Sequence, residues 1–221
     1  MIAKDLINYM IPRLKPGDSI ERAQQWMDEM RLTELPVVDN DSFVGMLEAD
    51  MVFNEDFNYQ TIGEFPLDGQ NCMVSGYSHY YDILKTANVE GCRLVAIGEA
   101  DKSYLGVVSM EDLVGTFAQN SSVNTPGAIL GIKLTLQDYS LAEISRIVEN
   151  NDAKILSSYI TPHPANPSDL HLTLKVNTEE VSYIIASLEQ NGFVIENSFN
   201  TRDSSNEEKE RVDSLLKYLK I

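Results

Sequence analysis

The sequence predicts an α+β protein in which one unit of about 60 residues occurs twice and is followed by a segment of different pattern. The phrase "VGMLEADMV" at residues 44–52 returns as "LGVVSMEDLV" at residues 105–114, and Gly45 and Gly106 are 106 − 45 = 61 residues apart. The polar stretch "QNSSVNTPG" at residues 119–127 ends in Pro-Gly, which is typical of a linker. Beyond it the order of predicted elements becomes β-α-β-β-α-β.

The first unit, residues 1–60, is predicted to contain a helix, two strands and a second helix. In "DSIERAQQWMDEM", Asp18 and Glu21 have the spacing of a capping box. Four apolar residues of this segment share one helical face: Ile20, Ala23, Met27 and Met30. "LPVVD" then predicts a buried strand, "NDS" a turn, and "FVGML" a strand that leads into the second helix.

The second unit, residues 61–120, repeats this order. "HYYDILKTANVEG" predicts a helix, "CRLVAIG" a strand, "EADKS" a turn, "YLGVV" a strand and "SMEDLVGTFAQN" a helix. Each unit is strand–helix–strand–strand–helix, and neither is large enough to bury an adequate core alone. The two units are therefore expected to pack as a pair.

The third segment, residues 126–200, alternates strands and helices in the order of the ferredoxin-like fold. "AILGIKLTL", "AKILSSYIT", "LHLTLKV" and "FVIENSF" predict strands, with "PHPANPSD" as a turn between the second and third. "SLAEISRIVENND" and "TEEVSYIIASLEQNG" predict helices, the latter ended by Gly192. Residues 201–221 predict a polar tail with a short amphipathic helix.

The acidic composition argues against several classes of binding partner. The 221 residues carry 34 Asp and Glu against 17 Lys and Arg, a net charge of −17, which repels nucleic acids and anionic membranes. The chain has no apolar run of about 20 residues and no signal-peptide pattern at its start. Cys72 and Cys92 lack metal-ligand spacing, and the three histidines are far apart, so a reduced, cytoplasmic protein without a metal site is expected.

The repeated unit resembles the CBS domain. The resemblance rests on "LPVVD" and on the phrase Gly–apolar–apolar–Ser/Thr–x–x–Asp, which the second copy matches with Gly106, Ser109 and Asp112. It extends from the start of the chain to about residue 118. It implies a tandem pair that packs about a pseudo-two-fold axis and holds adenosine-type ligands in clefts between the copies. The third segment resembles the ACT domain, a regulatory module that often dimerises and can bind amino acids. The order CBS–CBS–ACT resembles the acetoin utilisation protein B group.

The repeated phrase carries the main binding prediction. Ser109 lies between a strand and a helix, where its hydroxyl can cap the helix, and the free amides of a helix start attract anions. The resemblance implies that Ser109 meets a nucleotide phosphate and Asp112 the ribose hydroxyls; the alternative is that both form only an N-cap. In the first copy Glu48 replaces the Ser or Thr. Its carboxylate is expected to satisfy the helix amides and to repel a phosphate.

Three further positions are candidates for the cleft. Thr33 and Pro36 flank the first buried strand, where the CBS family places contacts on the adenine side; the simpler interpretation of both residues is a plain strand start. Arg93 could meet a phosphate or form a surface ion pair. In the third segment, Tyr139 and Ser140 stand where the ACT family uses a glycine to admit an amino acid. This substitution weighs against amino-acid binding and favours a dimerising role.

Two functions remain open from the sequence. The chain contains no catalytic triad pattern, P-loop, GxGxxG or metal motif, so it is not expected to be an enzyme. One hypothesis is a regulatory sensor whose CBS pair binds an adenosine-type nucleotide or related small molecule and controls a separate protein partner. The alternative is an oligomerisation scaffold that binds no ligand. Both predict a homodimer. The sequence names neither the ligand nor the partner.

Overall fold

The computed structural model describes residues 1–54, 59–101, 103–120, 122–163 and 166–200. It divides the chain into two compact units, Met1–Phe117 and Ala118–Ile221, so that both repeats share the first unit. The predicted tail helix at residues 201–221 lies outside the described residues. No helix within those ranges is both long enough and apolar enough to cross a membrane.

The first repeat contains a helix, a two-stranded antiparallel sheet and a short second helix. The elements are α1 (Ile20–Met30), β1 (Glu34–Asp39), β2 (Ser42–Glu48) and α2 (Ala49–Val52). The capping residue of α1 is Ser19, whose hydroxyl accepts the Arg22 amide, and not Asp18 as the spacing predicted. Asp18 instead accepts the Lys15 amide in the preceding turn and pairs with the Arg22 guanidinium.

The second repeat follows the same plan with one more strand at its start. The leading strand predicted for the first repeat is reduced to a single bridge between Leu14 and Val37. Its elements are β3 (Met73–Ser75), α3 (Tyr80–Glu90), β4 (Leu94–Gly98), β5 (Tyr104–Ser109) and α4 (Met110–Asn120). Strand β4 pairs parallel with β3 and antiparallel with β5. Ile97 lies opposite Gly106 just as Val37 lies opposite Gly45 in the first repeat, and a bulge follows in both hairpins. The predicted repeat is confirmed at the level of strand register.

Each repeat is completed by the segment that precedes the other repeat in the chain. The 3-10 helix Ala3–Leu6 packs into the core of the second repeat, and the Asn8 amide donates to the Val107 carbonyl at 2.8 Å. The 3-10 helix Ile62–Glu64 packs into the core of the first repeat, and the Met46 amide donates to the Asp68 carbonyl at 2.7 Å. This reciprocal exchange ties the two repeats into a pseudo-two-fold pair.

The exchange explains the glycine in each repeated phrase. A Cβ on Gly106 would lie 2.3 Å from Cγ2 of Ile7, and a Cβ on Gly45 would lie 2.8 Å from the Asp68 carbonyl oxygen. Both distances are shorter than real Cβ contacts, so a side chain at either position would displace the exchanged segment. Because Gly106 has no side chain, the N-terminal segment of the chain can pack directly against it.

The second unit is a four-stranded antiparallel sheet covered on one face by two helices. Its elements are β6 (Ile129–Thr135), α5 (Leu141–Asn150), β7 (Ile155–His163), β8 (Asn166–Val176), α6 (Ser182–Gln190) and β9 (Val194–Phe199). The strand order is β7-β8-β6-β9, which is the predicted ferredoxin-like topology. The predicted turn at residues 162–169 is too long, because β7 reaches His163 and β8 begins at Asn166. Pro162 is accommodated because β7 is an edge strand.

Part of the predicted linker is hydrogen-bonded to the second unit. Helix α4 runs to Asn120, and a 3-10 helix follows at Ser122–Asn124. The Lys175 ammonium donates to the carbonyls of Ser122 and Val123 at 2.5 and 3.0 Å, and the Ser122 hydroxyl donates to the Leu156 carbonyl at 2.7 Å. These bonds fix the start of the second unit on its sheet.

The two cysteines form a disulfide bond, which contradicts the prediction that they are reduced. The Cα atoms of Cys72 and Cys92 are 6.4 Å apart, and their side chains lie in the core of the second repeat. The Ala96 amide donates to the Cys72 carbonyl at 2.7 Å, so the parallel pairing of β3 with β4 brings the two residues together. A separation of 20 residues in the chain gives no sign of this contact.

Candidate functional site

Ser109 caps helix α4 as the sequence predicts. The Asp112 amide donates to the Ser109 hydroxyl oxygen at 3.0 Å, and the hydroxyl donates to Oδ2 of Asp112 at 2.6 Å. The pair therefore closes a local ring at the start of an eleven-residue helix. The Met110 and Asp112 amides of the first turn are bonded to Arg93 and Ser109, so the helix dipole is the main attraction for an anion at this end.

Asp112 has a second protein partner that the sequence did not indicate. The side-chain amide of Asn8 donates to the same Oδ2 atom at 2.6 Å. Asn8 belongs to the N-terminal segment that crosses to the second repeat, 104 residues away in the chain. A ribose hydroxyl at Asp112 would have to share the carboxylate with Asn8 or displace it.

A cleft between the repeats brings together three of the six predicted site residues. This cavity, here the arginine cleft, has a volume of about 240 Å³. Its lining consists of Arg31, Leu32, Thr33, Glu34, Arg93, Leu94, Ser109, Met110 and Glu111. Pro36, Gly106 and Asp112 do not line it. Pro36 lies within β1, where its carbonyl accepts the Leu14 amide at 2.8 Å.

Thr33 and Arg93 occupy equivalent positions in the two repeats and touch each other. The Thr33 carbonyl accepts the Ala49 amide at 2.8 Å, and the Arg93 carbonyl accepts the Met110 amide at 3.0 Å. The Arg93 guanidinium donates to the Thr33 hydroxyl at 3.2 Å. Arg93 thus bonds a hydroxyl of the other repeat, in place of the surface ion pair considered from the sequence.

Glu34 is a residue of the cleft that the sequence analysis missed. Its side chain is only 8% exposed, and Oε1 accepts the backbone amides of Arg93, at 2.8 Å, and Leu94. Burial raises the pKa of the Glu34 carboxyl above its ordinary value and outweighs the two amide donors, which act in the opposite direction. The available signal was a charged residue directly before the apolar run of the first strand.

The equivalent cleft on the other side of the pair is acidic. This cavity, here the acidic cleft, has a volume of about 440 Å³. Among the described residues, its charged lining consists of four carboxylates: Glu34, Glu48, Asp68 and Glu90. Arg31 in one cleft and Gly91 in the other both end the first helix of their repeat in the left-handed conformation. The two clefts therefore have the same backbone plan but a different charge: two arginines balance Glu34 and Glu111 in the first, whereas the charged residues that line the second are carboxylates.

Glu48 does not act as the sequence predicted. It is the N-cap residue of α2, but its side chain makes no capping hydrogen bond and instead lines the acidic cleft. The Ala49 amide at this helix start donates to the Thr33 carbonyl, so a backbone group satisfies it. The charge of Glu48 still opposes a phosphate in this cleft.

In the second unit, the turn at Tyr139 and Ser140 is closed by local bonds. The Thr135 hydroxyl donates to Asp138 at 2.6 Å, and the Ser140 hydroxyl accepts the Glu143 amide at 3.3 Å as the cap of α5. Tyr139 packs against the core of this unit. A hollow of about 660 Å³ remains beside the turn, so Tyr139 leaves more space than the sequence led us to expect.

No protein-family model matches the chain. Among solved structures, CBSX2 in complex with AMP is 20% identical and aligns over 53% of this chain and 96% of its own, with a TM-score of 0.47. A CBS domain pair/ACT domain protein from Thermotoga maritima is 14% identical over 54% of this chain and 98% of its own, with a TM-score of 0.48.

A third similar structure is a CBS domain pair in complex with 5′-methylthioadenosine and S-adenosyl-L-methionine. It is 18% identical and aligns over 55% of this chain and 98% of its own, with a TM-score of 0.47. Each alignment therefore spans about half of the present chain. Because identity is low and the TM-scores stay below 0.5, the ligand of this chain has to be argued from its own clefts.

Proposed function

We propose that this chain is a regulatory ligand-sensing protein, built as a CBS pair that binds an adenosine-type nucleotide and controls a separate protein. The observation that carries the proposal is the lining of the arginine cleft. Arg31 and Arg93 supply cationic donors there, and Thr33 and Ser109 supply hydroxyls. Phosphate oxygens bind such donors with short, charge-assisted hydrogen bonds.

The asymmetry of the two clefts supports placing the phosphate near Ser109. The arginine cleft has a capped helix start and two arginines beside Glu34 and Glu111, whereas Glu48 stands at the position of Ser109 in the acidic cleft. A phosphate near Glu48 would face carboxylates without a compensating cation in the lining. Nucleotide binding is therefore proposed for one cleft of the pair.

The position of Arg93 supports a regulatory role. Its side chain bonds Thr33 of the other repeat, and its amide bonds the buried Glu34 carboxylate. A phosphate that draws the guanidinium away from Thr33 changes the contact between the repeats. Ligand binding is then energetically coupled to the arrangement of the two repeats. A partner protein would respond to the changed arrangement.

We expect loss of Asp112 to weaken nucleotide binding by about tenfold or more. Asp112 does not line the arginine cleft, but it bonds Ser109, which does, and the CBS resemblance assigns its carboxylate to the ribose. A charged hydrogen-bond partner contributes about 1.5–3 kcal/mol. Differential scanning fluorimetry with AMP, ADP, ATP, NAD and S-adenosylmethionine, with and without magnesium, first selects the ligand. Calorimetry then compares Asp112→Ala with the wild type, and Glu48→Thr serves as the control in the other cleft. Unchanged affinity in Asp112→Ala, or an equal loss in Glu48→Thr, contradicts the assignment.

We expect a homodimer in solution, because the second repeat presents exposed apolar side chains along α3 and α4. Tyr81 and Phe117 are 61% and 46% exposed, and the neighbouring Tyr80 ring lies 6.4 Å from that of Phe117. Light scattering at micromolar concentration measures the mass, and the double variant Tyr81→Ser/Phe117→Ser is expected to shift it toward the monomer. A monomeric wild type contradicts the expectation.

We expect the second unit to associate with its own kind and to leave free amino acids unbound, as an ACT-like dimerisation module. The edge strands β7 and β9 carry exposed Tyr159 and Phe199, and the turn before α5 holds Tyr139 and Ser140 in place of a glycine. Isolated residues 126–221 should run as a dimer and show no thermal shift with amino acids. A monomer, or stabilisation by one amino acid, reverses this interpretation.

An oligomerisation scaffold is the alternative function, and the Asn8–Asp112 hydrogen bond favours it. The carboxylate proposed for the ribose already has two protein donors, Asn8 and Ser109. A scaffold would show no thermal shift with any nucleotide of the panel and would remain a dimer. The same fluorimetry and light-scattering measurements therefore separate the two functions.

A further inference from the structure

We infer that the Cys72–Cys92 disulfide is a thiol-exchange site reached through the acidic cleft, and that the charge of this cleft selects neutral or cationic thiols over anionic ones. The inference concerns the cleft opposite the proposed nucleotide site. It does not depend on nucleotide binding.

Both sulfur-bearing residues belong to the wall of the acidic cleft. Cys92 is 8% exposed and follows Gly91, the left-handed cap of α3, whereas Cys72 is 1% exposed. The rest of the wall includes residues 67–71, which precede Cys72. A small thiol that enters the 440 Å³ cavity therefore meets Cys92 first.

The charged side chains around the cavity all have one sign. They belong to Glu34 and Glu48 of the first repeat, to Asp68 of the exchanged segment and to Glu90 at the end of α3. Arg93, which directly follows Cys92 in the chain, directs its guanidinium to Thr33. An attacking thiolate that carries a further negative charge is repelled by this field, and one that carries an ammonium group is attracted.

The exchange balances with two equivalents of thiol. The first thiolate attacks the Cys92 sulfur, the bond to Cys72 breaks, and Cys72 leaves as a thiolate that takes up a proton. A second thiolate attacks the exogenous sulfur of the mixed disulfide and releases Cys92, which is protonated in turn. The protein disulfide gains two electrons, and the two small thiols are oxidised to their own disulfide.

Reduction removes a crosslink next to the contact between the repeats. Cys92 directly precedes Arg93 and Leu94, whose amides bind the Glu34 carboxylate. Cys72 ends the segment that crosses to the first repeat through the Asp68–Met46 bonds. The oxidation state of the cysteines is thus coupled to the junction of the pair.

The test measures reduction of the folded full-length chain by three thiols: cysteamine, 2-mercaptoethanol and 2-mercaptoethanesulfonate. Samples are quenched with iodoacetamide, free thiols are counted by mass spectrometry, and each rate is divided by that of the same thiol with hydroxyethyl disulfide. We expect cysteamine to exceed the sulfonate by at least about tenfold at low ionic strength, and the ratio to shrink at about 0.5 M salt because the field is screened.

Two double variants locate the effect. Glu48→Gln/Asp68→Asn removes two carboxylates from the cleft and is expected to lower the cysteamine preference. Glu99→Gln/Asp101→Asn removes the same charge beyond the opposite end of β4 and is expected to retain it. Equal normalised rates for the three thiols, reduction that occurs only after unfolding, or free thiols in the oxidised protein would each overturn the inference.

Discussion

Replacing Glu34 with alanine is expected to lower the melting temperature of the first unit by about 10 °C at neutral pH. The substitution leaves the Arg93 and Leu94 amides without their acceptor at the junction of the repeats. A buried unsatisfied donor costs about 1–3 kcal/mol, so the loss of this carboxylate amounts to about 2–3 kcal/mol. Differential scanning calorimetry of the full chain measures the change.

The variant Glu34→Gln is the matched control, because an amide oxygen can still accept both hydrogen bonds. Its pH dependence has a definite sign. Burial raises the pKa of the Glu34 carboxyl above the ordinary 4.5, so the folded state binds this proton more tightly than the unfolded state does. The pH-dependent part of the stability from this group is present below pH 4.5 and is lost as the pH rises through the raised pKa, while the hydrogen bonds to the two amides contribute at either pH.

Glu34→Gln is therefore expected to match the wild type in acid and to melt at a higher temperature near pH 7. Alanine is expected to be the least stable of the three at both pH values. If alanine is as stable as glutamine, the carboxylate does not join the repeats in the way the hydrogen bonds indicate.

Replacing Gly127 with alanine is expected to destabilise the second unit by about 3 kcal/mol. A Cβ at this position would lie 1.9 Å from the Val176 carbonyl oxygen, and the φ of +151° is one that L side chains rarely adopt. The next residue, Ala128, exchanges 2.9 Å hydrogen bonds with Val176 and Thr178, so the strand end has little freedom to move away. Thermal unfolding of the variant measures the loss.

The variant Gly192→Ala separates the steric clash from backbone strain. Gly192 also has a positive φ, +86°, but nothing lies within 4 Å of an added Cβ. Its substitution is expected to cost only about 1 kcal/mol of conformational strain. A loss in Gly127→Ala no greater than that in Gly192→Ala would contradict the close approach of Val176.

Most helices and strands were predictable because their signals are local. The apolar stripe of α5 and the alternation in β6 and β8 follow from the period of each element, and the structure confirms all three. The Ser109 cap of α4 was predictable for the same reason, since its donor and acceptor lie three residues apart. The end of β7 was missed because prolines at an edge strand resemble a turn.

The candidate site likewise contains residues that were predictable from the sequence and contacts that were not. The sequence predicted Ser109, Thr33 and Arg93, and the structure gathers these three in one cleft. Nothing in the sequence indicated that Asn8 bonds Asp112, or that Glu34 bonds two amides about 60 residues away. These contacts join residues whose neighbours in the chain carry no pattern that specifies the partner.

By itself, the sequence determined the repeat, the order of the elements, the βαββαβ topology of the second unit and the charge contrast between Ser109 and Glu48. Only the tertiary structure decided that each repeat borrows the segment before the other, that Cys72 meets Cys92, and that Glu34 lies at the junction. The physical reason is the distance along the chain between the residues that interact. Periodicity and capping depend on residues within a few positions of one another, whereas exchanged segments, disulfides and buried carboxylates depend on which surfaces meet after the chain has folded.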